Sequence, residues 1–298
     1  MNSRPTLRLE FRDTIAQRRN PYDHFAVQSI SKWCDVTVGE PGEICIFSRF
    51  GTSHLDFDGP KIHITAENDR TDFTDADFGI GYDRLQDDRY LRFPFWAWRG
   101  TAPWLLQPSA ERVPEPGKKF CAFVYSNPRP QKRKEIFAAI HKRRFVESPG
   151  AVLHNTDAVI TERTDANWRD GKIDYLRQFQ FVIAAENGRH RGYVTEKMVD
   201  VFEAGAIPIY WGDPTVKRDF NPDSFINADD FNSWDELADH VIALSEDPVA
   251  MQRMREVAPM NEKAWRRNTN PRKVDRFLHR AVTSLIPRLA NVPLRPAS

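Results

Sequence analysis

The stretch FVIAAENGRHRGYVTEKMVDVFEAGAIPIYWG, residues 181–212, decides the fold. It opens with a short apolar run, Phe181–Ala185, and closes with a second one, Ile207–Trp211. Each run is typical of a strand buried on both faces of a sheet. Between them, Met198 and Phe202 are spaced to share one face of a helix. The stretch therefore predicts a strand–loop–helix–strand unit of a parallel sheet.

The loop and the first helical turn of this stretch concentrate polar side chains. Thr195 is a candidate N-cap, so the backbone N–H groups of the helix start would face the end of the sheet. Lys197 lies in the first turn, and a helix N-terminus with a nearby cation is an anion site that commonly holds a diphosphate. The alternative is a strand edge followed by a solvated polar loop. On the residues alone, both interpretations stand.

Further motifs follow at fixed spacings and together span residues 186–231. They are Glu186-Asn187, Tyr193-Val-Thr-Glu-Lys197, Ala206-Ile-Pro-Ile-Tyr-Trp-Gly212, Asn221-Pro-Asp-Ser-Phe-Ile-Asn227 and Asp230-Phe231. This pattern resembles the α1,3-fucosyltransferase family, and most of all its soluble bacterial members that form Lewis-type antigens. The resemblance implies an α/β fold with two Rossmann-like domains facing across a cleft, the GT-B glycosyltransferase architecture.

Length and composition agree with such a protein. The 298 residues suit one large domain or two of ordinary size, and the hydrophobic fraction of 40% suffices for a core. The net charge of +1 does not indicate a nucleic-acid binder. No stretch approaches the roughly eighteen apolar residues of a membrane span. Cys34, Cys45 and Cys121 include no CxxC pair, so we expect buried free thiols and a cytoplasmic protein.

A change in composition marks a domain boundary. Residues 107–119 contain three Pro and one Gly, a density that neither a helix nor a central strand tolerates. We therefore place a linker at 111–117. By the resemblance, residues 1–110 form the acceptor-binding α/β domain with the catalytic base, and residues 118–265 form the Rossmann-like domain that binds GDP-fucose.

Residues 266–298 form a basic segment with an apolar face. From residue 264 to the end, eight Arg or Lys stand against one acid, Asp275. Such a helix suits peripheral contact with an anionic membrane surface. It could equally pack across the two domains, as the final helix does in many GT-B glycosyltransferases, and Pro287 favours docking because it cuts the helix short.

The resemblance assigns the catalytic base to Glu67, in the segment Thr65-Ala-Glu-Asn68. Ala66 replaces the Gly of the corresponding bacterial segment but leaves the carboxylate in place. Fucose transfer from GDP-β-L-fucose into an α-linkage inverts the anomeric carbon. One carboxylate on the acceptor side is then enough, because it takes the proton of the attacking hydroxyl.

The donor side needs groups that stabilise the negative charge of the leaving diphosphate. The resemblance assigns this role to Arg133 and Lys197. It also assigns Glu196 to the ribose hydroxyls and Tyr193 to the border of the nucleotide. The remaining predicted donor-binding residues are Ser126, Asn127, Glu186 and Asn187.

Two other features allow a second interpretation. Asp75-Ala-Asp77 has the spacing of the DxD metal motif of another glycosyltransferase fold, but we interpret it as a turn. The histidines have no metal-ligand spacing, so we predict no metal requirement. The aromatic run Phe93–Trp98 suits either stacking on sugar rings or core packing.

The resulting hypothesis is a metal-independent, inverting α1,3-fucosyltransferase. Its partners would be GDP-fucose and a glycan acceptor, fucosylated at the 3-hydroxyl of GlcNAc in a Gal–GlcNAc unit. A different nucleotide sugar on the same fold and a non-catalytic glycan-binding module are the alternatives. The sequence leaves open the acceptor glycan, the choice between α1,3 and α1,4 linkage, and the oligomeric state.

Overall fold

The computed structural model describes residues 4–18, 20–100, 102–112, 119–160 and 168–294. The chain divides into two compact units. The first unit comprises residues 1–101 and 268–298, and the second comprises residues 102–267. Each contains one sheet of parallel strands, which confirms the predicted α/β class with two Rossmann-like domains. Of the predicted linker, residues 113–117 lie outside the described residues.

In the second unit helices separate most of the strands, whereas most strands of the first unit follow one another through loops and short 3₁₀ turns. The first unit holds the strands β1 (Thr6–Arg12), β2 (Asp35–Val38), β3 (Ile44–Phe47), β4 (Lys61–Ile64), β5 (Phe78–Gly81) and β6 (Tyr90–Arg92). The second unit holds β7 (Lys119–Ala122), β8 (Val146–Glu147), β9 (Phe179–Ala185), β10 (Ile207–Trp211) and β11 (Ile226–Asn227). The helices are α1 (Phe25–Ile30), α2 (Ser109–Arg112), α3 (Gln131–His141), α4 (Trp168–Leu176), α5 (Glu196–Ala204), α6 (Trp234–Ser245), α7 (Pro248–Arg255), α8 (Glu262–Thr269) and α9 (Pro271–Leu285). The strand orders are β2-β1-β3-β4-β5-β6 and β11-β10-β9-β7-β8.

The predicted strand–loop–helix–strand unit is confirmed as β9, α5 and β10. The two strands pair in parallel, with Ala185 opposite Trp211. Between them, Met198 and Phe202 turn the apolar face of α5 into the core. The helix ends at Gly205, whose positive φ of 81° gives the left-handed cap that favours glycine. The carboxyl ends of β9 and β10 therefore lie at one edge of the sheet, where ligands bind in folds of this kind.

The basic C-terminal helix α9 packs within the first unit. Its apolar face is buried through Val274, Phe277 and Leu278. Its one acid, Asp275, accepts hydrogen bonds from Ser29 Oγ at 2.7 Å and Lys32 Nζ at 2.8 Å. The apolar face of α9 is thus covered by the protein itself. Among the described residues, no helix combines the length and apolarity needed to cross a bilayer.

The aromatic run packs into the first unit. Phe93, Trp96 and Ala97 are buried, and Trp98 Nε1 donates to the carbonyl of Phe93 at 2.8 Å. Core packing therefore accounts for most of this run.

The three cysteines are buried and free, as predicted. Burial raises the pKa of the Cys34 thiol to about 11 and that of Cys45 to about 12. Both thiols are therefore poor nucleophiles at neutral pH.

We expect Asp275→Ala to lower the free energy of unfolding by about 1–3 kcal/mol, because it leaves the buried hydroxyl of Ser29 without its acceptor. Chemical denaturation followed by circular dichroism measures the change. Glu262→Ala is the control, because its ion pair with Arg266 is exposed and should add little. Equal effects of the two substitutions would contradict the role given to Asp275.

Candidate functional site

The site in the second unit begins where β9 and β10 end. Glu186 follows β9, and its backbone N–H donates to the carbonyl of Trp211 at 2.8 Å. Gly212 follows β10 directly. A Cβ on Gly212 would lie 2.6 Å from Glu186 Cγ, so only glycine leaves room for this glutamate. The two strand ends are thus fitted to each other around one side chain.

Glu186 is fully buried and accepts three hydrogen bonds. Its carboxylate lies 2.7 Å from Thr195 N, 2.8 Å from Thr195 Oγ1 and 3.0 Å from Lys197 Nζ. Thr195 is the N-cap residue of α5, as predicted, but its hydroxyl donates to Glu186 and does not cap the helix. A buried carboxylate therefore fixes the start of α5.

Lys197 is held as a cation at this helix start. Burial alone would lower its pKa, but the charges of Glu186 and Glu196 outweigh that effect and raise the pKa above its usual value of 10.5. Its ammonium group also lies 2.9 Å from Thr195 Oγ1. The first turn of α5 thus combines a fixed positive charge with the positive end of the helix dipole.

A second cation, Arg133 of α3, is buried beside this cluster. Its guanidinium lies 4.1 Å from the ring centroid of Tyr125 and donates through Nη2 to Asn187 Oδ1. Burial lowers the pKa of Arg133, and the nearby charge of Glu186 opposes that change. Its Nε is buried and has no hydrogen-bond partner among the described residues. A buried guanidinium N–H of this kind suits an anionic ligand.

The other residues predicted to bind the donor substrate differ in their exposure to solvent. Tyr193 is buried and Glu196 is half-buried, at the loop and the first turn of α5. Ser126 and Asn127 are exposed in the turn after β7, where Asn127 Oδ1 accepts from the backbone N–H of Arg129. Among the residues predicted to bind the donor substrate, Glu186 thus contacts Lys197, and Asn187 contacts Arg133. Ser126 and Asn127 lie in a more exposed turn.

Sequence reasoning missed two tyrosines that hold the strand ends. Tyr125 OH accepts from the backbone N–H of Ala185 at 2.7 Å, and Tyr210 OH accepts from that of Asp213 at 2.9 Å. Both hydroxyls are buried and satisfy backbone groups where the ladder stops. A tyrosine at the end of an apolar strand is a weak signal, because it equally fits ordinary core packing.

In the first unit, Glu67 follows β4 in the loop that leads towards β5. It is half-buried, and its backbone N–H donates to Thr65 Oγ1 at 3.1 Å. Its neighbour Asn68 accepts from Tyr82 OH at 3.2 Å. Glu67 therefore lies at the carboxyl end of a parallel strand.

The DxD carboxylates have partners within the protein. Asp75 pairs with Arg49 at 3.0 Å, and Asp77 accepts from the backbone N–H of Lys61 at 2.8 Å. Over the described residues, His, Cys, Asp and Glu side chains form no group able to hold a metal ion. Both aspartates are thus engaged by other groups of the first unit.

Two family models match the chain. The description "Glycosyltransferase family 10 (fucosyltransferase) C-term" matches residues 114–278, and "Alpha-(1,3)-fucosyltransferase FucT N-terminal domain" matches residues 9–98. Together they cover both units.

Curated relatives agree with this match. The chain is 32% identical over 215 residues to the alpha-(1,3)-fucosyltransferase FucT of Helicobacter pylori, covering 61% of this chain and 43% of that protein. It is 34% identical over 111 residues to the alpha-(1,4)-fucosyltransferase of Arabidopsis thaliana, covering 37% of this chain and 26% of that protein. The matches thus span less than half the length of these relatives.

Solved structures show the same fold over nearly the whole chain. A crystal structure of an alpha1,3-fucosyltransferase has a TM-score of 0.79 at 25% identity, covering 98% of this chain and 94% of that one. A structure of an alpha1,3-fucosyltransferase with GDP-fucose has a TM-score of 0.76 at 24% identity, covering 100% of this chain and 94% of that one.

We expect Glu186→Ala to lower the free energy of unfolding by about 3–5 kcal/mol, because the half-buried Lys197 loses its partner and the buried backbone N–H of Thr195 loses its acceptor. Denaturant titration measures the loss. Because the pKa of Lys197 is raised on folding, the stabilisation is complete below pH 10.5, its usual value, and is lost as pH rises through the folded-state pKa. The difference in the free energy of unfolding between the wild type and Glu186→Ala should therefore become smaller above pH 10.5.

Asp229→Asn is the matched control, because it weakens an ion pair to the exposed side chain of Arg189 near the same loop. It should change stability little. A Glu186→Ala protein as stable as this control would show that the buried carboxylate does not support the site.

Proposed function

This chain belongs to glycosyltransferase family 10, the fucosyltransferase family, and from that membership we propose the reaction that it catalyses. The enzyme transfers L-fucose from GDP-β-L-fucose to the 3-hydroxyl of GlcNAc in a Gal–GlcNAc-type glycan, with inversion at the anomeric carbon. The observation that carries the proposal is the pair of cations, the half-buried Lys197 and the buried Arg133, held by Glu186 and Asn187 at the carboxyl edge of the second sheet. Similarity to the alpha-(1,3)-fucosyltransferase FucT of H. pylori supports the α1,3 linkage.

On the donor side, Lys197 and Arg133 bind the diphosphate. As the bond between C1 of fucose and the phosphate oxygen breaks, its electron pair leaves with GDP, and both cations stabilise the added charge. Preorganised charges of this kind need no movement at the moment of reaction. Glu196 accepts hydrogen bonds from the ribose hydroxyls, and Tyr193 borders the nucleotide. Ser126 and Asn127 complete the donor contacts from the turn after β7.

The two remaining donor-side residues hold the cations in place. Glu186 fixes Lys197, and Asn187 orients Arg133. Because two protein cations stabilise the leaving group, we propose that transfer is independent of metal ions. The engagement of Asp75 and Asp77 by protein groups supports this proposal.

On the acceptor side, Glu67 is the general base. It takes the proton of the acceptor hydroxyl while that oxygen forms its bond to the anomeric carbon, which has oxocarbenium character. Its place after a parallel strand supports the assignment, because functional side chains of α/β folds cluster at that edge.

We also propose a cytoplasmic location, with weak contact at the inner face of an anionic membrane. Because the apolar face of α9 is buried in the first unit, the contact would rest on exposed basic side chains such as Arg272 and Arg276. Such an attraction is electrostatic and weakens at high salt.

The proposed reaction is tested by incubating the protein with GDP-fucose and a panel of Gal–GlcNAc and other glycans, with products identified by mass spectrometry. We expect one added fucose on GlcNAc, with unchanged yield in excess EDTA. A dependence on added divalent metal would contradict the metal-independent mechanism. Thermal stabilisation by UDP alone, with none by GDP, would overturn the choice of donor.

We expect Glu67→Gln to lower kcat by about 10²- to 10⁴-fold, because the amide cannot take up the proton. The KM for GDP-fucose should stay near the wild-type value, since Glu67 lies in the acceptor unit. Asp58→Asn, an exposed acidic position of the same unit, is the control. Wild-type turnover by the Gln variant would rule out Glu67 as the base.

A further inference from the structure

The loop that carries Glu67 is tied down on both sides of this residue. The backbone N–H of Glu67 donates to Thr65 Oγ1 at 3.1 Å. The backbone N–H of Asp69 donates to the carbonyl of Glu67 at 2.8 Å. These bonds fix the backbone of Glu67 and therefore the position of its Cβ atom.

A buried imidazole closes this loop at its base. His63 lies in β4 and is fully buried. Its Nε2 is 3.1 Å from Asp69 Oδ2, and its Nδ1 is 3.0 Å from Thr71 Oγ1. His63 precedes Glu67, and both partners follow it. The imidazole ring therefore links β4, which precedes the loop, to the segment with Asp69 and Thr71, which follows Glu67.

The neighbouring strand leaves room for this arrangement. Gly79 of β5 lies opposite His63 in the parallel register. A Cβ on Gly79 would be 2.4 Å from Thr71 Oγ1. The absence of a side chain at this position thus lets Thr71 reach the imidazole, as a close approach of chain segments requires.

Charged side chains extend the arrangement along the same edge of the first sheet. Arg49 lies 3.4 Å from Asp69 and 3.0 Å from Asp75. Asp75 in turn lies 3.6 Å from Nε2 of His54, a second buried imidazole. Asp69 is therefore held from two sides, by His63 and by Arg49.

We propose that His63 and Asp69 are positioning residues, whose mutual hydrogen bond holds the loop so that Glu67 meets the acceptor hydroxyl. The inference rests on the proposed role of Glu67 as the base. His63 and Asp69 act because a general base must lie within hydrogen-bond reach of the proton that it abstracts, and a misplacement of about 1 Å can cost roughly 10²-fold in rate.

Two substitutions of His63 separate its two hydrogen bonds. In His63→Gln, the side-chain amide can reach the position of Nε2 and retain the bond to Asp69. In His63→Asn, the shorter amide reaches only the position of Nδ1 and keeps the bond to Thr71. We expect His63→Asn to lower kcat by about 10²-fold with little change in the KM for GDP-fucose, and His63→Gln to stay near wild type. Equal losses in both would overturn the proposal, as would no loss in either.

A second pair of variants serves if substitutions at the buried histidine prevent folding. Asp69→Ala removes a partly exposed carboxylate and should give the same selective loss of kcat. Asp72→Ala is its control in the same segment, because Asp72 accepts from the backbone N–H and the hydroxyl of Thr74. A wild-type kcat for Asp69→Ala would overturn the proposal.

Hydrogen–deuterium exchange tests the positioning without any turnover. The amides of Glu67 and Asp69 should exchange faster in His63→Asn and in Asp69→Ala than in His63→Gln or in Asp72→Ala. If the wild-type protein transferred no fucose, the proposed function would fail while this comparison still reported on the loop. If it transferred fucose and exchange were the same in all variants, the positioning role alone would be wrong.

Discussion

The site of the second unit depends on the contacts of one buried carboxylate, that of Glu186, with Thr195 and Lys197. Removing a carboxylate from water is costly unless hydrogen bonds and an opposite charge compensate. Here two donors from Thr195 and the ammonium of Lys197 do so. The same contacts fix where α5 begins and where its cation lies, and they require glycine at position 212. One set of bonds therefore both compensates the buried carboxylate and sets the position of Lys197.

Much of this arrangement could be predicted from the sequence. Continuous apolar runs gave the positions of β9 and β10, because strands covered on both faces need no polar alternation. Thr195 was predicted correctly as the N-cap residue by its type and place. The partner of its hydroxyl could not be predicted, because that choice depends on the burial of Glu186 nine residues earlier. Local pattern thus indicates the elements, and tertiary burial decides their contacts.

The features that sequence reasoning missed involve partners distant along the chain or unspecific residue types. Asp275 bonds to Ser29 across 246 residues, and no local pattern reports such a contact. Tyr125 and Tyr210 would fit any apolar core, so their role at strand ends appears only in three dimensions. The pairing of His63 with Asp69 spans six residues, yet a lone histidine in an apolar strand is more often a core residue than part of a functional loop.

Glu186 and Glu67 each follow a parallel strand, but different kinds of contact hold them in place. The carboxylate of Glu186 accepts hydrogen bonds from three donor groups. Protonation would weaken its bond to Lys197, so the ionised carboxylate is suited to holding that cation in place. Glu67 is fixed through its backbone, by Thr65 before it and Asp69 after it. The general base proposed at Glu67 must change protonation during each turnover, and these backbone bonds do not depend on its charge. The contacts that hold Glu186 thus depend on its ionised carboxylate, whereas the bonds that set the backbone of Glu67 do not.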